Sequence, residues 1–164
     1  MSFESVRRVL CSALVVIAFV ATTAPLAHVL ELPNKLSLDG PSWLLVQQRL
    51  YAGWGAVFGP LDLAAIVVGV ALCLAFRRDR PVLRDLAGTV AIYVLMIVVF
   101  FAFNAPVNTA FNGWTVGTMP GDWPRYRVQW ELGHAMAALL SLIGLALAVR
   151  ARFMISSTNR VAMR

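Results

Sequence analysis

The chain has 164 residues, 60% of them hydrophobic and only 13% charged, with a net charge of +6. A soluble domain carries about 25% charged residues, so a water-exposed globule is excluded and an integral membrane protein is expected. The positive charges cluster between apolar segments, which marks topology rather than a nucleic-acid footprint, and nucleic acid is not an expected partner.

A membrane-crossing helix needs roughly 20 mostly apolar residues. Four segments qualify: Val9 to Val29, Trp54 to Phe76, Leu86 to Phe103 and Leu132 to Val149. The expected fold class is therefore all-α, a single four-helix transmembrane bundle over residues 1–152. Its helices are placed at about 9–30, 48–76, 85–106 and 128–150, with a flexible tail at 153–164. Arg7 and Arg8 precede the first helix, Arg77, Arg78, Arg80 and Arg84 lie between the second and third, and Arg150, Arg152, Arg160 and Arg164 follow the fourth. The other two connections carry only Lys35, Arg49, Arg125 and Arg127. Basic residues favour the cytoplasmic side. Both termini are thus expected in the cytoplasm, in a multi-pass protein of the cell inner (plasma) membrane.

The first segment has the outline of a signal peptide ending near Ala24, but its apolar run continues to Val29 and outlasts the usual h-region, so a retained helix is expected. Pro25 kinks its end, and His28, Glu31, Asn34 and Lys35 follow on the outer side. Residues 33–41 read as a loop with a turn at Asp39-Gly40-Pro41. Ser42 is placed as the N-cap of a short interfacial helix that merges into helix two through Gly53 and Gly55, with Trp43 and Tyr51 in the aromatic belt.

Helix two contains Asp62, about eight residues from Trp54 and so roughly 12 Å deep at 1.5 Å per residue. A charge at that depth costs at least about 2.5 kcal/mol unless paired or solvated. Asp62 reads either as a proton-handling, substrate-facing carboxyl or as a hydrogen-bonded group that locks helix packing. The Arg-rich connection to helix three pairs its own charges beside lipid headgroups. Phe100, Phe101 and Phe103 read as packing residues, and Ala135, Ala138, Ser141, Gly144 and Ala148 allow close approach of helix four. Cys11 and Cys73 are small core residues rather than a redox pair.

The stretch from Asn104 to His134 concentrates the polar and aromatic residues. Asn104 and Asn108 share a helix face, as do Trp130 and His134. His134 is the candidate base, flanked by Glu131, and Asn104 and Asn108 are candidate donors to an oxyanion or, alternatively, caps of a helix end. Trp114, Trp123, Tyr126 and Trp130 either hold a flat aromatic substrate or anchor the belt. Arg127, with His28, Asn34, Lys35 and Tyr51, completes the candidate substrate-binding set. Arg125 and Arg127 alternatively pair with Asp122 and Glu131. No metal spacing is present and no cofactor is expected. Haem held by His28 and His134 is the alternative.

N-A-P-V-N at Asn104–Asn108, the Trp-rich loop and W-E-L-G-H at Trp130–His134 resemble the anthrone oxygenase-like family of small four-helix membrane proteins. The resemblance implies oxidation of a hydrophobic aromatic substrate, polyketide- or quinone-like, by molecular oxygen without an organic cofactor. It places Asn104, Asn108, Trp130 and His134 in the site. One turn after the histidine, where that family often carries Arg, this chain has Ala137. The expected partners are the lipid bilayer and a hydrophobic small molecule, with self-association into a homo-oligomer left open. A non-enzymatic reading stands beside the enzyme: a membrane protein that binds a lipid-like ligand or serves a larger complex.

Overall fold

A computed structural model describes residues 3–162, with side chains from Glu4 to Ile155. Helix α1 spans Phe3–Leu36, α2 Gly40–Leu45, α3 Trp54–Ala75, α4 Arg80–Val99, α5 Ala105–Asn112 and α6 Trp123–Ala162. Five-residue π-helical segments, Val46–Leu50 and Phe100–Asn104, follow α2 and α4. Four stretches are long and apolar enough to cross a membrane: Glu4–Leu36, Trp54–Ala75, Arg80–Asn112 and Trp123–Ile155. They alternate in direction, so the start of α1 and the last turns of α6 lie at one end of the bundle with the α3–α4 connection. That end is rich in arginine. The opposite, aromatic end carries α2, α5 and the loop before α6.

The four long helices close around small side chains. Cys11, Leu14, Ala18 and Ala21 form one face of α1 and pack with Ala65 and Leu72 of α3, Leu86 and Tyr93 of α4 and Ala148 and Ala151 of α6. Lipid supplies no hydrophobic drive between helices, so their association rests on close packing and interhelical hydrogen bonds. Tyr93 supplies one such bond: fully buried, it donates from Oη to the Ala18 carbonyl at 3.3 Å.

At the arginine-rich end, Asp79 caps α4 by accepting from the Val82 amide at 3.4 Å. The charge pairing expected within the α3–α4 connection is largely replaced by contacts between helices. Asp85 is 1% exposed and lies 3.4 Å from Arg150 Nε on α6, closer than its neighbour Arg84 at 3.7 Å. Arg7 donates to the Ala75 carbonyl and covers the Phe76 ring, and Arg152 Nε donates to Ser12 Oγ at 2.8 Å.

Several boundaries differ from those the sequence suggests. α1 runs through Pro25 and Pro33 to Leu36, so the expected loop from residue 33 begins a turn later. A proline removes a single backbone donor, which a long packed helix tolerates. Asp39, not Ser42, caps α2: its carboxylate accepts from the Ser42 amide at 2.9 Å, and the hydrogen bonds from Ser42 hold this exposed carboxyl below the usual range. The interfacial segment does not merge into helix two, because Gly53 turns the chain at φ +83°, a left-handed conformation suited to glycine. α3 therefore starts at Trp54 rather than near residue 48. Helix three does not end at Pro106. It widens over Phe100–Asn104, where the Ala105 amide reaches back to the Phe100 carbonyl, and continues as α5 to Asn112. The segment from residue 153, expected as a flexible tail, extends α6 to Ala162, and Met163 and Arg164 lie outside the described residues.

Candidate functional site

A cavity of about 660 Å³ occupies the aromatic half of the bundle. Its wall combines Ala24 and His28 of α1, Tyr51 and Trp54, Gly59 and Asp62 of α3, Phe100 and Asn104 of the second π-helical segment, Asn108 of α5, and Trp130 and His134 of α6. Leu63 and Phe101, also lining it, are 56% and 66% exposed. Both residues lie within membrane-crossing stretches, on helices that face each other across the cavity. The mouth of the cleft, between α3 and the second π-helical segment, is thus edged by exposed apolar side chains.

The two histidines, far apart in sequence, meet at this wall. Their ring centroids are 4.1 Å apart, tilted by 47°. Around His28 stand Tyr51 at 4.5 Å, Trp130 at 4.8 Å and Trp54 at 5.2 Å. Trp130 also contacts His134 edge-on at 4.1 Å. The arrangement does not fit axial ligation of haem by His28 and His134, because rings in van der Waals contact leave no gap for a macrocycle between them.

His28 Nδ1 lies 3.5 Å from Lys35 Nζ and 3.7 Å from Glu31 Oε2. An ammonium has only donors, so Lys35 favours the tautomer of His28 whose proton is on Nε2. Lys35 in turn donates to Glu131 Oε2 at 2.9 Å, and both side chains are buried. Glu31 accepts from Tyr51 Oη at 2.5 Å. Burial first, and then the Glu31 carboxylate, push the Tyr51 phenol up from its ordinary range. Behind the histidine pair there is thus a linked set of two carboxylates, an ammonium and a phenol.

Asn104 and Asn108 are both bound to Trp130. Asn104, 2% exposed, donates from Nδ2 to the Trp130 carbonyl at 2.9 Å. Its amide fits only because residue 133 is glycine: a Cβ there would collide with Asn104 Oδ1. Asn108 Oδ1 accepts from Trp130 Nε1 at 2.8 Å, which leaves its Nδ2 as the donor directed elsewhere. Neither asparagine closes the end of α5, where Gly113 follows the last turn. Asp62 borders the cavity and makes no hydrogen bond or ion pair among the described residues.

Other candidates lie outside the cavity wall. Trp123 packs on Trp43 at 5.7 Å, and Trp114 on Tyr126 at 4.9 Å, in a cluster that caps the aromatic end. Arg127 stacks on Trp123 at 4.7 Å and donates to the carbonyls of Lys35 and Leu38 at 3.3 and 3.0 Å, clamping the end of α1. It forms no ion pair with Asp122 or Glu131 among the described residues; Arg125 pairs with Asp122 at 3.3 Å. Asn34 is exposed, and its carbonyl serves the turn through Ser37. Lys35 acts from behind His28 rather than at the wall. Sequence reasoning missed Gln47 and Gln48, which also border the cavity. Their only local signal is a pair of adjacent carboxamides beside Arg49 in a short, largely apolar segment.

No protein-family model, no curated protein and no solved structure matches the chain.

Proposed function

We propose that the chain is a small membrane oxidoreductase of the oxygenase kind. It takes a hydrophobic aromatic substrate from the bilayer into the cavity, at the outer half of a bundle whose termini are cytoplasmic. The observation that carries this reading is the convergence of His134, Asn108 and Asp62, from three separate helices, on one cavity beside His28.

His134 removes a proton from an activated methylene or phenol of the substrate, and His28, with its tautomer set by Lys35, supports the imidazole. Asn108 Nδ2 donates to the oxyanion that develops on the ring. Asn104 gives one amide N–H to the Trp130 carbonyl and is almost fully buried, so it positions the site rather than contacting substrate. The electron-rich carbanion then gives electrons to dioxygen. For a methylene, the carbon and one dioxygen molecule yield a carbonyl and one water. Both hydrogens of the methylene leave in that water with one oxygen atom, while the other oxygen stays on the oxidised carbon. Asp62 exchanges protons with the water-forming oxygen.

Oxygen uptake by protein in lipid nanodiscs, with 1-hydroxy-9(10H)-anthrone as substrate, tests the reading. Wild type is expected to consume oxygen above the uncatalysed rate. His134→Ala should abolish that excess with unchanged expression and thermal stability. A variant that fails to fold, or a wild type with no excess uptake, argues for the second reading. In it, the protein is a non-enzymatic binder of a lipid-like ligand, which the exposed apolar lips of the cleft at Leu63 and Phe101 also favour.

A further inference from the structure

Gln47 sits on the first π-helical segment, is 2% exposed and borders the cavity. Neither its Oε1 nor its Nε2 has a hydrogen-bond partner among the described residues. A buried donor and acceptor left together without partners is costly, and a native structure that retains such a pair calls for an explanation. Its neighbour Gln48 shows the ordinary solution: Nε2 donates to the carbonyls of Phe111 and Trp114 at 2.6 and 2.9 Å, fastening this segment to α5. Gln47 is one residue away and has no such duty.

The surroundings indicate what would satisfy it. Tyr51, four residues on and therefore on a neighbouring part of the same helical face, forms part of the cage around His28. Asn108, whose Nδ2 is directed away from Trp130, borders the same cavity. Both π-helical segments contribute to the wall, Gln47 and Gln48 from one and Phe100, Phe101 and Asn104 from the other. Single-turn π-helices occur often at functional sites, because the widened turn re-aims side chains out of the regular helical register. A carboxamide presents a donor group and an acceptor about two bonds apart, and it is uncharged. Its complement is a group that accepts and donates in adjacent positions and is itself neutral.

We infer that Gln47 is a binding residue for the polar head of the ligand, and that this head is an uncharged group with a hydrogen-bond donor beside an acceptor, carried on a flat apolar body. The inference deepens the proposed function by naming the substrate class, and in that respect rests on it. Both amide atoms are closed off from solvent in this structure, so Gln47 turns its side chain into the cavity that it borders to fix the ring by two hydrogen bonds, and the apolar body lies along the cleft beside α3. A ligand whose head lacks the donor leaves Gln47 Oε1 unpaired, and that difference sets the selectivity.

The test uses 6(5H)-phenanthridinone, a flat fluorescent lactam with N–H beside C=O, and its N-methyl derivative, which lacks the donor. Both are titrated against the full chain in nanodiscs, without turnover. Wild type is expected to bind the lactam at least tenfold more tightly than the N-methyl compound. Gln47→Leu should lose that discrimination by weakening the lactam alone, while thermal stability is retained or raised. Gln47→Glu keeps the oxygen that accepts the lactam N–H but replaces the donor nitrogen with a second oxygen, so it should weaken both compounds while keeping the preference for the lactam. If Gln47→Leu keeps the discrimination, or if wild type shows none, Gln47 is a structural residue and the inference falls. The outcome is separable from oxygen chemistry. Discrimination that depends on Gln47 with no oxygen uptake would remove the oxygenase and leave the binding residue, and uptake lost in His134→Ala with no Gln47-dependent discrimination would do the reverse.

Discussion

Replacing Lys35 by Met is expected to destabilise the folded protein far more than replacing both partners of its ion pair. Lys35 and Glu131 are 3% and 7% exposed, and Nζ stands 2.9 Å from Oε2. Lys35→Met leaves the Glu131 carboxylate buried with no cation on that oxygen, and its Oε1 already lacks a partner among the described residues. Removing one member of a buried pair costs about 3–5 kcal/mol, whereas exchanging both for apolar groups of similar size is near neutral or stabilising by about 1–4 kcal/mol. Lys35→Met should therefore lose about 3 kcal/mol or more, and Lys35→Met with Glu131→Leu should recover most of it. The assay is reversible unfolding by increasing mole fraction of SDS in mixed micelles, followed by Trp fluorescence, with both single variants completing the cycle. A loss under about 1 kcal/mol for Lys35→Met would refute the reasoning, since the pair would then be reachable by water. Because Lys35 also faces His28 Nδ1, the double variant separates stability from chemistry: it should fold well and still turn over slowly.

Gly133→Ala should press on Asn104, break its bond to the Trp130 carbonyl and cost about 1–3 kcal/mol by overpacking, read in the same unfolding assay. Gly59→Leu places a side chain where a Cβ meets nothing within 4 Å, so it should narrow the cleft and weaken ligand binding at least tenfold while leaving stability within about 0.5 kcal/mol of wild type. Tyr51 supplies a pH dependence. Its phenol is pushed up in the folded state, so the folded form keeps its proton where the unfolded form has released it. Stability from this group is full below the ordinary phenol value of about 10 and declines as pH rises above it. Tyr51→Phe should flatten that alkaline decline relative to wild type in unfolding curves between about pH 9 and 11.

The four membrane-crossing stretches were legible because each is a run of side chains too apolar for water, a property that needs no partner to be read. His28, Asn108, Asp62 and His134 were legible as candidates because polar residues near hydrocarbon stand out. What brings them together was not. Lys35 and Glu131 are 96 positions apart, and their pairing depends on how α1 and α6 are rotated against each other. The same rotation turned Trp114, Trp123 and Tyr126 toward Trp43 and the cap instead of the cavity. Helix ends were misread where a proline stood, at Pro33 and Pro106, since in a packed membrane helix a lost donor is absorbed by a continuing or widened turn. Asp85 shows the same limit at the other end, where its nearest basic group in space is on α6 rather than in its own connection. Gln47 has no signal in the sequence beyond its polarity, and only the lack of partners around it gives it significance.

The most direct test of the central claim compares turnover for residues on either side of the cavity wall. Oxygen uptake at saturating 1-hydroxy-9(10H)-anthrone is measured in nanodiscs for His134→Ala and Asp62→Asn, which border the cavity, and for Trp114→Phe and Arg125→Lys, which do not. The account expects kcat to fall at least a hundredfold for the first variant and at least tenfold for the second, with the other two within twofold of wild type. Equal losses in both groups, or full activity in His134→Ala, would contradict it.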